Sequence, residues 1–286
     1  PYTWGFELTP TLISGYFIFM GLLAIWRFIR GSKNLSIGII LFSIFFYFGL
    51  TNMPWLPLIL IYGLIGYKIG GLSLALSIIL GLSFITLTGV LPQALLSIYL
   101  CGIAVIVSFL IGSSLGIWAA HNDRVSAFMR PINDTMQTMP SFVILIPFVM
   151  IFKIGEFTAL LAIIAYAFVP AMRYTEHGLR NLPETVIEAA QMIGCSKSQL
   201  LWKVKIPLAF PVIMLGLNQT IMFGLAMLVI AALVGTTGLG QLIYIGLSKA
   251  NFGLGMIAGV SIAIIAILFD RVTQALKIKL EKNYNR

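Results

Sequence analysis

The sequence predicts an all-α integral membrane protein, a polytopic bundle of about nine spanning helices. Three observations carry that expectation. Hydrophobic residues make up 59% of the 286-residue chain and charged residues 9%, at a mean hydropathy of +1.02, whereas a soluble domain carries about 25% charged residues. The apolar residues run in continuous stretches rather than ten-residue alternation, the pattern of spanning helices and not of a β-barrel. Lysine and arginine gather on alternate connections, as the positive-inside rule requires.

Apolar segments stand at about 11–29, 35–51, 53–67, 71–90, 94–118, 135–152, 158–174, 209–234 and 255–271. The third is short and follows MPWLP, so the count falls to eight spans if it is re-entrant. With the N-terminus outside, the inner connections and tail hold Arg27, Arg30, Lys33, Lys68, Arg124, Arg130, Arg173, Arg180, Lys197, Lys203, Lys205, Arg271, Lys277, Lys279, Lys282 and Arg286. The outer side holds only Lys153 and Lys249. The wrong span parity would not give that division, so the expected topology is N-terminus outside and C-terminus cytoplasmic. Residues 1–90, almost uncharged, read as a peripheral scaffold, 91–275 as the working core and 276–286 as a cytoplasmic tail. The chain opens on Pro1 rather than methionine, so a longer or processed polypeptide is expected, and no signal peptide is read into the start.

The net charge of +9 sorts by side of the membrane, so membrane lipid and not nucleic acid is its expected partner. The two cysteines, Cys101 and Cys195, support neither a disulfide framework nor a metal site. His177 has no second histidine or cysteine at ligand spacing.

Between the seventh and eighth segments lies a stretch that does not read as a span. Asn181-Leu182-Pro183-Glu184 forms a helix start, with proline in the first turn and Glu184 at the positive end of the dipole. Gly194 is placed for a left-handed stop. Ser196 and Gln199 form a capping box for a second helix, which Pro207 is expected to close. Val186, Ala190 and Ile193 share one face of the first helix. Such a helix–turn–helix on the cytoplasmic side is either an amphipathic element on the inner leaflet or a docking element for a partner.

Glu188-Ala189-Ala190, followed by Gly194 and Ile206-Pro207-Leu208, resembles the EAA loop of ABC importer permeases. The family's usual I-x-L-P close stands here as Val204-Lys205-Ile206-Pro207. The stretches DTMQTMPSFVILIPFVMIFKIG (134–155), LPETVIEAAQMIG (182–194), PLAFPVIMLGLNQTIMFGLAMLVIAALVGTTGLGQ (207–241) and ILFDRVTQAL (267–276) are similar to permeases of the glycine betaine/proline (quaternary amine) uptake type. The resemblance implies a coupling loop at 181–208 that seats on a separate ATPase. Glu188 would be its polar contact, Ala189 and Ala190 its packing surface, Gly194 its turn, and Ile206 and Pro207 its link to the next span. It also implies a second permease copy or paralogue, an extracytoplasmic solute-binding protein and a bacterial cytoplasmic (inner) membrane setting.

No G-x-x-x-x-G-K-[ST] occurs in the sequence, so this chain is not expected to be an enzyme or to hold a cofactor of its own. ATP and Mg belong on the partner ATPase. The GTTGLG at 235–240 has no lysine and reads as a turn or re-entrant segment. Span centres are essentially free of ionisable residues, which weakens an ion-coupled mechanism.

Asn218, Gln219 and Thr220 form the strongest polar cluster inside a span, either binding helix to helix or lining a path. Met222, Phe223, Met139 and Phe142 are further candidates for the translocation path, with core packing as the plainer alternative. Gly112 and Gly116, and likewise Gly255 and Gly259, fit close helix crossings. The expected function is the permease subunit of an ATP-driven importer of a compatible solute such as glycine betaine. The alternatives are a permease for another small polar solute such as an amino acid, an ion-coupled secondary transporter, and a membrane scaffold that only recruits a partner.

Overall fold

The computed structural model describes residues 20–21 and 55–284, with side chains in the last helix as far as Lys279. The predicted spans 11–29 and 35–51, apart from residues 20–21, and Arg27, Arg30, Lys33 and Arg286 lie outside the described residues. The described elements are helical throughout: α1 (Trp55–Leu87), α2 (Leu91–His121), α3 (Asp123–Thr138), α4 (Ser141–Phe152), α5 (Glu156–Arg180), α6 (Glu184–Met192), α7 (Ile206–Ala231), α8 (Leu239–Ser248) and α9 (Phe252–Tyr284). A short turn at Lys197–Gln199 and a π-helical turn at Leu200–Lys205 lead without a break into α7.

Five of the described helices are long and apolar enough to cross a membrane, and six if the bent pair α3 and α4 is taken as one span. Over the same residues the sequence predicts seven segments, and two local features explain the difference. The third and fourth segments are the halves of α1, which breaks from helical geometry at Gly71 (φ 77°, ψ −163°). A Cβ added at Gly66 would lie 3.4 Å from the Ala75 Cα and 2.5 Å from the Ile78 Cδ1, although residues 66 and 78 in a straight helix stand about 18 Å apart. The chain therefore folds back at Gly71, and Leu58 and Ile59 pack with Leu74, Ile78 and Leu82.

The second difference is at 135–152, which is not one continuous span. Residues 135–138 end α3, whose polar and apolar residues segregate to opposite faces, and α4 leaves it at 103°. Pro140 explains the break, because the residue before a proline is driven out of the α region; Met139 is extended at φ −71°, ψ 134°. With only the 12 residues of Ser141–Phe152, α4 is about 18 Å long, short of a hydrocarbon core of about 30 Å.

α2, α5 and α7 form the centre of the bundle. Gly112 and Gly116 sit against α5 so closely that an added Cβ would lie 2.5 Å from the Phe168 carbonyl oxygen and 2.6 Å from that of Met172. Small residues admit such backbone approach where lipid supplies no hydrophobic drive to association. The other predicted pair behaves differently. Gly255 abuts Gly246 where α8 turns back into α9, whereas Gly259 has nothing within 4 Å of a Cβ position. The main core joins Ala104 and Val105 of α2, Ala162 and Ile163 of α5, and Leu225 and Leu228 of α7. α1 packs on α9, where Gly81 meets Ile264 and Leu268.

At one end of the bundle the GTTG turn is pinned to its neighbours. The Leu239 amide donates to Ser97 Oγ at 2.9 Å, the Gly155 amide to the Val234 carbonyl at 3.1 Å, and Thr237 Oγ1 to the Glu156 carboxylate. Gly238, at φ 112°, packs on Gln93 and Ser97 of α2, Gly240 packs on the Leu228 carbonyl and Val229 of α7, and Gly235 holds a left-handed φ of 79°.

Candidate functional site

The stretch 181–208 that joins α5 to α7, here termed the elbow, begins at an anchored point. Arg180, the last residue of α5, donates from Nη1 to Asp123 Oδ1 at 2.8 Å, from Nε to Glu176 Oε1 at 3.0 Å and from Nη2 to the Ala119 carbonyl at 2.6 Å. Ser126 Oγ donates to the same Glu176 oxygen at 2.5 Å. The end of α5 is thereby tied to the end of α2 and the start of α3. Asn122 caps α3, its side chain accepting from the Arg124 and Val125 amides. The sequence reading missed this knot. Its legible part was Asn122-Asp123, a capping residue followed by an acid in the first turn.

Pro183 (φ −58°, ψ 123°) precedes α6 and lets Glu184 open it. α6 closes at Gly194 with both bonds of a Schellman motif: the Cys195 amide donates to Ala190 at 3.2 Å and the Gly194 amide to Gln191 at 2.9 Å. Gly194 supplies the required left-handed conformation at φ 85°. The capping box follows, with the Ser196 amide on Gln199 Oε1 at 3.0 Å and the Gln199 amide on Ser196 Oγ at 3.3 Å.

Pro207 does not end the second helix; the chain runs helical from Lys197 into α7. The Ile206 amide bonds back to Leu201, five residues earlier, inside the π-helical turn. That wider turn makes room for a proline ring that would otherwise clash with the carbonyl four residues before it.

Ala190 is the one buried residue of α6. Val186 and Ile193, which helical spacing groups with it, are 38% and 84% exposed, so the three do not share a buried face. Glu188 and Ala189 are exposed, and so are the apolar side chains of Met192, Ile193 and Trp202. The two ends of the elbow meet again on the bundle. Leu182, just after α5, and Ile206, at the start of α7, both pack on the cluster of Leu179, Ala209 and Ile213.

Beside the knot lies a cavity of about 580 Å³ lined by Arg130, Asn133, Asp134, Arg173, Tyr174 and His177 among others. Arg173 is paired with Asp134 across it.

The path candidates separate into groups. Asn218 is committed to α9: its Nδ2 donates to Asp270 Oδ1 at 2.8 Å and its Oδ1 accepts from Thr273 Oγ1 at 3.0 Å. Gln219, Met222 and Phe223 are half-buried on α7, and Phe223 stacks on Tyr166 of α5 with centroids 5.1 Å apart. Met139 packs at the edge of the main core. Phe142 stands 56% exposed on α4. Tyr166 and Asp270 were missed as partners, because sequence spacing does not show which helices adjoin.

The family model described as "Binding-protein-dependent transport system inner membrane component" matches residues 109–282, more than half of the chain. The chain belongs to this family. Its match opens within α2, closes within α9 and contains the whole elbow. Among curated relatives, the glycine betaine/proline betaine transport system permease protein ProW of Escherichia coli (strain K12) is 39% identical over 226 residues, 79% of this chain and 64% of that one. The glycine betaine transport system permease protein OpuAB of Bacillus subtilis (strain 168) is 37% identical over 237 residues, covering 83% and 84% respectively. The trimethylamine N-oxide transport system permease protein TmoV of Pelagibacter ubique (strain HTCC1062) is 44% identical over 75% of this chain and 30% of that one. Thus the chain spans about two-thirds of the first relative's length and under a third of the last. The family fold also has solved examples. An inward-facing MetNI methionine ABC transporter chain superposes at a TM-score of 0.59 and 20% identity, over 65% of this chain and 93% of that one. A chain of an amino acid ABC transporter gives 0.57 and 16%, over 68% and 98%.

Proposed function

We propose that this multi-pass membrane protein is the permease subunit of an ATP-driven importer in a bacterial cytoplasmic membrane, moving a compact methylated ammonium solute such as glycine betaine. Two copies, or this chain and a related one, enclose the path. An ATPase that binds ATP and Mg seats on the elbow through Glu188, Ala189 and the exposed Met192 and Ile193. A solute-binding protein delivers cargo at the opposite face. Residues 91–275 carry transport, 1–90 form a peripheral scaffold and 276–286 a tail on the ATPase side.

The observation that carries the reading is the meeting of Leu182 and Ile206 on one apolar cluster. A push on α6 reaches α5 and α7 together, because both ends of the elbow are packed on the same residues and neither is a slack linker. Gly194 and the π-helical turn set the angle of the lever, and Ile206-Pro207 joins it directly to α7. The relatives' names support the methylated solute class.

The test is uptake of radiolabelled glycine betaine by proteoliposomes holding this chain, its ATPase and its binding protein. Uptake is expected to need internal or external ATP on the ATPase side and to survive collapse of ion gradients. Uptake that follows an ion gradient and ignores ATP would overturn the reading.

A further inference from the structure

The turn that joins α4 to α5 is strained at a lysine. Among the described residues, Lys153 and Ala250 are the non-glycine residues with positive φ, and Lys153 stands at φ 65°, ψ −174°. That combination lies outside the small left-handed helical region open to residues with a side chain and is essentially glycine's own. The surroundings hold it there. The Lys153 amide donates to the Val149 carbonyl at 2.9 Å, its carbonyl accepts from the Oγ1 of the buried Thr158, and the Gly155 amide bonds to Val234. Phe152 and Phe157 meet edge to face across the turn, with centroids 5.5 Å apart.

A glycine would adopt this geometry without strain, so what distinguishes the position is the lysine side chain. That side chain is exposed, and its ammonium has no hydrogen bond or ion pair among the described residues. Glu156 stands three residues on, but its carboxylate accepts from Thr237 Oγ1. Lys249, the other lysine expected on the outer side, ends α8 in ordinary backbone geometry at φ −98°, ψ 8°. Strain that the fold holds in place around a charge without a partner in the chain points to a partner outside it.

The place of the turn selects that partner. It opens α5, one of the three central helices, whose 25 residues set Lys153 roughly 40 Å from the elbow. It is also bonded, through Val234 and Thr237, to the GTTG turn beyond the far end of α7. The turn thus caps the central helices at the end opposite the elbow, where a binding protein would deliver cargo, and not the rim that meets lipid headgroups. Exposed charges on such a face steer and register a partner by complementarity.

We infer that Lys153 is a docking cation of this chain and engages an acidic side chain on the solute-binding protein. This rests on the importer reading above and adds to it a named contact on the outer face. Because the same turn is fixed to α5, load placed on Lys153 is carried by one continuous helix to the Arg180 knot and the elbow.

The test uses the complete importer in proteoliposomes and measures ATP hydrolysis against the concentration of binding protein loaded with glycine betaine. Lys153→Gln keeps the strained backbone and loses the charge. Its half-saturating concentration is expected to rise about fivefold, and that of Lys153→Glu about tenfold or more, with maximal rates near the parent's. Lys153→Gly is expected to match Lys153→Gln in docking and yet to melt about 2–4 °C above the parent, since it sheds the strain. Added salt is expected to narrow the gap between the parent and Lys153→Gln. Half-saturating concentrations within about twofold of the parent in both Lys153→Gln and Lys153→Glu would overturn the contact and leave the importer reading standing. A defect in Lys153→Gly alone would belong to the backbone and overturn it too. So would a defect present in vesicles containing phosphatidylglycerol and absent in pure phosphatidylcholine, which would assign the charge to lipid. A parent whose hydrolysis ignores the loaded binding protein would overturn the importer reading and this contact with it.

Discussion

Arg180 donates from Nη1 to the Asp123 carboxylate at 2.8 Å, joining the last residue before the elbow to the helix that follows α2. The same guanidinium also reaches Glu176 and the Ala119 carbonyl. These contacts differ in weight, since the Asp123 side chain is 92% exposed and that of Glu176 is 13% exposed. Exposed ion pairs contribute roughly 0–1 kcal/mol, whereas a hydrogen bond to a charged group contributes about 1.5–3 kcal/mol. Asp123→Asn is therefore expected to leave thermal stability in detergent nearly unchanged. Arg180→Ala is expected to lower it by about 2 kcal/mol and to reduce uptake. Equal losses in the two variants would contradict this ranking.

The approach of α2 to α5 leaves no room for a side chain at Gly112, where a Cβ would meet the Phe168 carbonyl oxygen at 2.5 Å and the Ala171 Cβ at 2.7 Å. Overpacking of this kind costs typically about 1–3 kcal/mol. Gly112→Ala should thus unfold at a clearly lower temperature than the parent. Gly259→Ala, with open space around it, should match the parent. The melting temperatures of the two purified proteins check both outcomes.

Asn218 and Asp270 bind α7 to α9, with Thr273 and Gln274 completing the network. Hydrogen bonds between membrane helices contribute on the order of 0.6–2 kcal/mol. A double-mutant cycle on Asn218→Ala and Asp270→Asn is expected to show coupling of about 1 kcal/mol in stability. Because Asn218 is spent on this tie, its alanine variant should keep the parental KM for solute. A raised KM with no coupling would place Asn218 in the path instead.

Much of the elbow was legible because its signals are local. Pro183 and Glu184 open α6, Gly194 closes it, and Ser196 with Gln199 caps the next turn, all through bonds spanning five residues or fewer. Pro207 misled for the same reason. A proline stops an α-helix, and only the backbone shows that a π-helical turn precedes it and carries the chain through. Likewise, hydropathy alone merged residues 135–152, since it does not register the bend that Pro140 imposes. The α1 reversal at Gly71 falls at the first residue of the predicted fourth segment, but Lys68 and the C-terminal tail come together only in three dimensions, where Lys279 Nζ donates to the Lys68 carbonyl at 2.9 Å. Partners on other helices, such as Tyr166 for Phe223, leave no trace in spacing along the chain.

The lever itself is tested most directly at Gly194. A Cβ there meets nothing within 4 Å, while φ is +85°, so substitution acts on the backbone alone. Left-handed geometry costs a residue with a side chain roughly 1–2 kcal/mol, more for a β-branched one, and asparagine tolerates it. The measurement is the ratio of solute imported to ATP hydrolysed in the reconstituted importer, for the parent, Gly194→Asn and Gly194→Val. If the elbow transmits force, Gly194→Asn keeps the parental ratio, and Gly194→Val, still in the membrane and bound to its ATPase, lowers it by about tenfold or more. A parental ratio in Gly194→Val would contradict the account.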